Sequence, residues 1–167
     1  APDPTYPTLL ASTGAQHLIV AEGPKLGTNI DSEADGQPSA GADGDDTNGT
    51  PDDEDGVTFG TLTQGANGTV TISLSGTGKI NSWIAFNADG DWDDTGEQIL
   101  TDVTTGGAKT VAIPADANVG DTYARFRVST AGGDGVTGLA ADGEVEDYKI
   151  TIKKAPEYDF GDAPDPT

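Results

Sequence analysis

The chain has 167 residues, enough for one domain with a real core and too few for two comfortable ones. Its 29 acidic residues against 8 basic ones give a formal charge of -21, which excludes nucleic acid as a partner, since no basic stripe exists to meet phosphates. There is no cysteine and no methionine, so disulfides and thiolate chemistry are excluded, and the longest apolar run is far short of the roughly 20 residues that span a bilayer.

Such a chain repels itself unless it is disordered or cations neutralise it. Its strand-like runs carry the Val, Ile, Phe, Tyr and Trp that disordered acidic tracts lack, so several Ca²⁺ ions are expected. About three to five of them would bring the balance to about -11 to -15. In a secreted domain without disulfides, metal is the remaining staple.

The two ends share a motif. Ala1-Pro2-Asp3-Pro4-Thr5 recurs as Ala163-Pro164-Asp165-Pro166-Thr167, a period of 162 residues. This predicts one unit of a tandem array, cut from a longer chain, with neighbouring repeats as its partners. Residues 1–155 form the unit, and 156–167 are a proline-stiffened linker leading into the next copy. No signal peptide is visible.

Residues 6–30 read as an irregular wrap with a short helical turn near 8–16. The single histidine, His17, has no serine or second histidine to form a catalytic set, so a hydrogen bond to backbone is expected of it. From residue 31 to 56 no basic residue interrupts two acidic clusters, Asp31, Glu33 and Asp35 at alternate positions and Asp52-Asp53-Glu54-Asp55 in a run. So long a loop in a compact domain suggests function, and the clusters are expected to fold back on bound calcium rather than remain a solvated acidic loop.

Period-two patterns follow. Val57 and Phe59 alternate with Thr58; Val70, Ile72 and Leu74 with Thr71 and Ser73; Ile84 and Phe86 with Trp83 and Ala85. Runs at 99–103, 109–113, 123–129 and 148–153 continue the pattern. With Gly, Asn and Asp turns between them and no amphipathic helix, they predict an all-β, antiparallel β-sandwich of Ig-like or jelly-roll-like kind. Pro114 should end its strand or mark an edge.

The stretch Asn87-Ala88-Asp89-Gly90-Asp91-Trp92-Asp93-Asp94-Thr95-Gly96-Glu97 stands at the end of one such run. Oxygen-bearing side chains at alternate positions (Asn87, Asp89, Asp91, Asp93), a turning glycine and a closing Glu97 suit calcium, which takes six to eight oxygens at about 2.3–2.6 Å. Gly90 is fourth and Glu97 eleventh, so the spacing is not that of an EF-hand. It reads as a calcium loop grafted onto a strand.

Before the last strand, Glu144 and Glu146 point to one side and Asp147 to the other. Side by side they need a cation or an arginine to stay ionised. Arg125 and Arg127, both outward on one strand, are the organic partners, and calcium is the inorganic one.

Four motifs in order carry a resemblance: Asp52-Asp53-Glu54-Asp55-Gly56-Val57, Tyr123-Ala124-Arg125-Phe126-Arg127, Gly143-Glu144-Val145-Glu146-Asp147-Tyr148, and Asp159-Phe160-Gly161-Asp162-Ala163-Pro164-Asp165. Together they resemble the GEVED domain of very large bacterial surface proteins. The resemblance implies a β-sandwich repeated in tandem in secreted or cell-wall-associated, adhesin-like proteins, and it carries no catalytic residues across.

Catalysis is not expected: no Ser, His and Asp set exists, and no carboxylate pair is singled out in an aromatic-lined cleft. A carbohydrate- or surface-binding module is the second reading, with Trp83 and Trp92 flanking the loop and able either to stack on a sugar or to cap the core. The first reading is a monomeric, calcium-stabilised extender of a bacterial adhesin at the cell surface, which projects a distal adhesive region and supports adhesion or biofilm without inserting into the membrane. Asn87, Asp89, Asp91, Asp93 and Glu97 are the first ligand candidates, followed by Asp31, Glu33, Asp35, Asp53, Asp55, Glu144, Glu146 and Asp162.

Overall fold

Alternation of branched and polar residues sets up the sheets, and Asn67–Ile72 shows it most cleanly, with Gly68, Val70 and Ile72 buried and the residues between them exposed. The computed structural model of the chain describes residues 1–2, 5–44 and 53–161. Among these, a 3-10 turn at Leu10–Ser12 is the one helical element. The strands are β1 (Ala15–His17), β2 (Lys25–Leu26), β3 (Val57–Phe59), β4 (Leu62–Thr63), β5 (Asn67–Ile72), β6 (Leu74–Ser75), β7 (Lys79–Ile84), β8 (Gln98–Val103), β9 (Gly107–Ala112), β10 (Gly120–Ser129), β11 (Gly138–Ala140) and β12 (Glu144–Lys153). The protein is all-β.

Five strands form one sheet in the order β4-β12-β10-β7-β8, and three form another in the order β3-β5-β9; β1-β11 and β2-β6 are two-stranded pairs. Most neighbours are antiparallel, as expected, but β12 with β4 and β1 with β11 run parallel. The two larger sheets feed one core. Val57, Val70, Ile72 and Val111 from the smaller meet Ile80, Ile84, Ala124, Phe126, Val128, Ile150 and Ile152 from the larger. Each such side chain, fully buried, contributes about 1.5–3 kcal/mol. Phe126 lies at the centre, edge-on to Phe59 at 5.9 Å and to Tyr148 at 6.0 Å.

The other face of β7 and β10 is also covered, which the expectation of one wet face did not anticipate. The segment before β1 crosses it, and Ala1, Tyr6, Trp83, Ala85 and Trp92 pack there as a second cluster. Burial therefore does not alternate along β7, where five of six residues are buried. Strand β9 stops at Ala112, two residues short of Pro114, consistent with a residue that cannot donate to a ladder. Asp162 and the second copy of the terminal motif lie outside the described residues.

Candidate metal centre

The loop after β7 is built by its own side chains. Asn87 Oδ1 accepts the Asp89 N–H (3.1 Å), Asp89 Oδ1 that of Asp91 (3.4 Å), and Asp91 Oδ1 that of Asp93 (2.9 Å). Each Asx side chain thus mimics a backbone turn two residues on. Gly90 supplies a conformation that resists a side chain, at φ +114°, with Thr5 packed against it. The result gathers Asp89, Asp91 and Asp94, one carboxylate oxygen of each lying within 4.8 Å of the others. Oxygens ligating one Ca²⁺ at about 2.3–2.6 Å lie no more than about 5 Å apart, so the triangle fits such an ion.

The third corner is Asp94, which sequence reasoning passed over in favour of Asp93. Strict alternation pointed to Asp93, but the Thr95-Gly96 turn, closed by the Glu97 N–H on the Asp94 carbonyl at 3.2 Å, folds Asp94 back over the loop. The glycine at position 96, which sits at φ +98°, is the sequence signal of that turn. Asp93 is exposed outside the triangle. Asn87 turns its amide nitrogen toward the cluster, donating to Asp89 Oδ2 (3.0 Å) and Asp94 Oδ2 (2.6 Å).

Glu97, at the end of the loop and not one of the three corners, is only 3% exposed, with neither carboxylate oxygen hydrogen-bonded. Burial pushes its carboxyl up to about 7; nearby Asp94 adds to the rise, while the backbone N–H groups of Asn87, Asp94 and Phe86 pull it down from beyond hydrogen-bond geometry. An enclosed, unpaired carboxylate is costly unless protonated or met by a cation.

Trp92 fastens the loop to the body. Its Nε1 donates to the Tyr123 carbonyl at 3.1 Å. Its ring lies 4.7 Å from Tyr6 and 4.5 Å below the Arg125 guanidinium. Both tryptophans are buried, so they cap the second cluster and present no stacking face to a sugar.

The arginines and glutamates of the central strands fall on opposite faces, correcting the expected pairing. In register, Arg125 lies opposite Asp147 and Arg127 opposite Val145, whereas Glu146 lies opposite Phe126 and Glu144 opposite Val128. Arg125 is buried and grips Asp147 with two bonds of 2.7 Å, its remaining nitrogen donating to the carbonyls of Pro7 and Val136. Arg127, also buried rather than outward, donates to His17 Nε2 at 2.9 Å and to the carbonyls of Gly135, Thr137, Gln16 and Gly138. His17 Nδ1 donates in turn to the Asp142 carbonyl at 2.7 Å. The histidine is structural, and burial helped by Arg127 holds it down at about 4.

Glu146 accepts the Gly56 N–H and the Tyr148 hydroxyl, both at 2.9 Å. Glu144 Oε2 accepts the Leu26 N–H at 2.6 Å, but its Oε1 has no partner. Burial raises both, Glu144 to about 9 with Glu146 next in effect, Glu146 to about 8 against its hydrogen bonds. Asp53 and Asp55 raise each further.

Asp31, Glu33, Asp35 and Asp53 line one cavity with Glu144. Within it Asp35 Oδ1 accepts the N–H groups of Leu10 and Gly36, and Glu33 accepts the Gln37 amide. Asp55 lies apart, its oxygens taken by Thr28 and Asn29. Among the described residues, no second set of three carboxylates closes to 4.8 Å.

Residues 79–151 match the family model of the GEVED domain, a span of somewhat under half the chain that includes the loop, both arginines and both glutamates. No curated protein and no solved structure matches the chain.

Proposed function

Taking residues 79–151 as a GEVED domain, we propose that the chain is a calcium-stabilised extender: a β-sandwich repeat of a bacterial surface adhesin that carries a distal adhesive region away from the cell. The observation that carries the reading is the Asp89, Asp91 and Asp94 triangle, in a loop that ends on the buried, unbonded Glu97. Three carboxylates held together by a short loop gain from a shared cation, and oxygen donors on a short loop favour Ca²⁺ over softer metals.

The role is mechanical. Gly90 and Trp92 of the loop bear on Thr5 and Tyr6, where the chain enters the domain. An ion that fixes the loop therefore also fixes the entering segment, and neighbouring repeats are held at a set angle. Extracellular calcium is high enough to fill even weak sites of this type, which suits assembly after secretion. The closed aromatic cluster supports a structural role over a glycan-binding one.

Thermal unfolding of the whole chain in about 5 mM CaCl₂, in MgCl₂ and in EGTA tests this. A site filled at 100 times its Kd adds about 2.7 kcal/mol, or about 5–11 °C for a domain of this size. A calcium-specific rise of that order supports the reading; the same melt in CaCl₂ and EGTA sinks it.

A further inference from the structure

A cavity of about 460 Å³ opens between residues 30–36 and the β1-β11 pair, apart from the Asp89–Glu97 loop. Pockets of about 300–1,000 Å³ take small ligands or single side chains of a peptide. One wall is acidic, with Asp31, Asp53 and Glu144; another is aliphatic, with Leu18, Ile19 and Leu139 exposed by 54%, 47% and 65%. Large aliphatic side chains left half bare around a concavity mark a surface that another molecule covers.

The acidic wall specifies the charge of that molecule. Glu144 is 4% exposed and its Oε1 has no hydrogen-bond partner, while Asp31 Oδ1 is likewise enclosed and unbonded. The charges acting most strongly on Glu144, those of Glu146, Asp53 and Asp55, are all negative. Arg125 and Arg127 are committed on the other face of the sheet. A bare metal ion does not suit the place, because no three of the cavity's carboxylates come within 4.8 Å of one another. A guanidinium is wider, carries five donors in a fixed fork, and spans separated carboxylate oxygens.

We infer that the cavity receives an arginine side chain of an extended partner peptide, with aliphatic residues two positions to either side of that arginine, which share its face, resting on Leu18, Ile19 and Leu139. The domain is then a docking module for a basic, apolar segment as well as a spacer. This does not depend on calcium in the 87–97 loop.

The test is a titration of the full chain, followed by amide shifts in NMR, with acetyl-Leu-Ala-Arg-Ala-Leu-amide against acetyl-Leu-Ala-Gln-Ala-Leu-amide. The expected result is that the arginine peptide binds about tenfold or more tightly, with shifts gathered at residues 16–19, 31–35 and 139–145. Glu144→Gln should remove that preference. Leu139→Asn, on an exposed side chain that the fold does not require, should weaken both peptides while leaving the melt unchanged. Equal binding of the two peptides, or shifts at neither set of residues, overturns the inference. So does CaCl₂ that displaces the arginine peptide and shifts the same amides, which would make the cavity a metal site.

Discussion

Gly143 shows at the residue scale why a motif read for its carboxylates also needs its glycine. It sits at φ +93°, and a Cβ there would lie 1.8 Å from the Val128 carbonyl oxygen, a collision with backbone that no rotamer relieves. The conformation alone costs about 1–3 kcal/mol for a residue with a side chain. Gly143→Ala is therefore expected to lower stability by at least that much in urea unfolding, whereas Gly135→Ala, with open space around it, should leave the midpoint nearly unchanged. Sequence reasoning found the glutamates of this motif and placed them on one side and Asp147 on the other, which the register bears out. It sent Arg125 and Arg127 to solvent because alternation cannot tell a wet face from one covered by a distant segment. Here the covering segments are residues 5–17, more than 100 positions away, and residues 135–138, and backbone carbonyls of both help satisfy the guanidinium groups.

At the scale of elements, β12 carries two buried carboxyls at its start and His17 of β1 stands against β10, and they respond to pH in opposite directions. Glu144 and Glu146 have folded-state values raised to about 9 and about 8. Their contribution is fully present below the unfolded carboxylate range, near 4.5, and is lost as pH rises through 8 and 9. His17 is held down at about 4. Its contribution is fully present above the unfolded value near 6.5 and is lost as pH falls toward 4. Glu97, raised to about 7, likewise loses its contribution as pH rises through 7, so between about pH 7.5 and 9 Glu144 and Glu146 dominate. Urea unfolding in EGTA is thus expected to show stability falling from about pH 7.5 to pH 9, and Glu144→Gln with Glu146→Gln should flatten that slope. A stability that rises over this interval would contradict buried, uncompensated carboxyls in β12. The seven strands read from period-two runs all have a counterpart among the described strands, because the alternation of branched and polar residues marks them even where, as in β7 and β10, both faces are covered. The strands that were missed, β1, β2, β4, β6 and β11, are two or three residues long. They are held by partners rather than by their own pattern, so no local periodicity announces them.

For the whole molecule, the excess of negative charge is the fact that needs an answer, and the fold supplies it in pieces. Asp147 is neutralised by Arg125, Asp55 is taken up by hydrogen bonds at Thr28 and Asn29, and the Asp89, Asp91 and Asp94 cluster and Glu97 have no basic group in their contacts. The loop that would hold an ion was legible from its acidic spacing. Its geometry was not, because a turn at Thr95-Gly96 exchanges Asp93 for Asp94. That exchange makes the calcium reading testable at single residues. Calorimetric titration of CaCl₂ into the chain, into Asp94→Asn and into Asp93→Asn is the most direct measurement. Loss of one anionic ligand is expected to weaken binding about tenfold or more in Asp94→Asn while Asp93→Asn binds nearly as the parent does. No calcium binding in the parent, or equal loss in both variants, would contradict a calcium centre built on Asp89, Asp91 and Asp94.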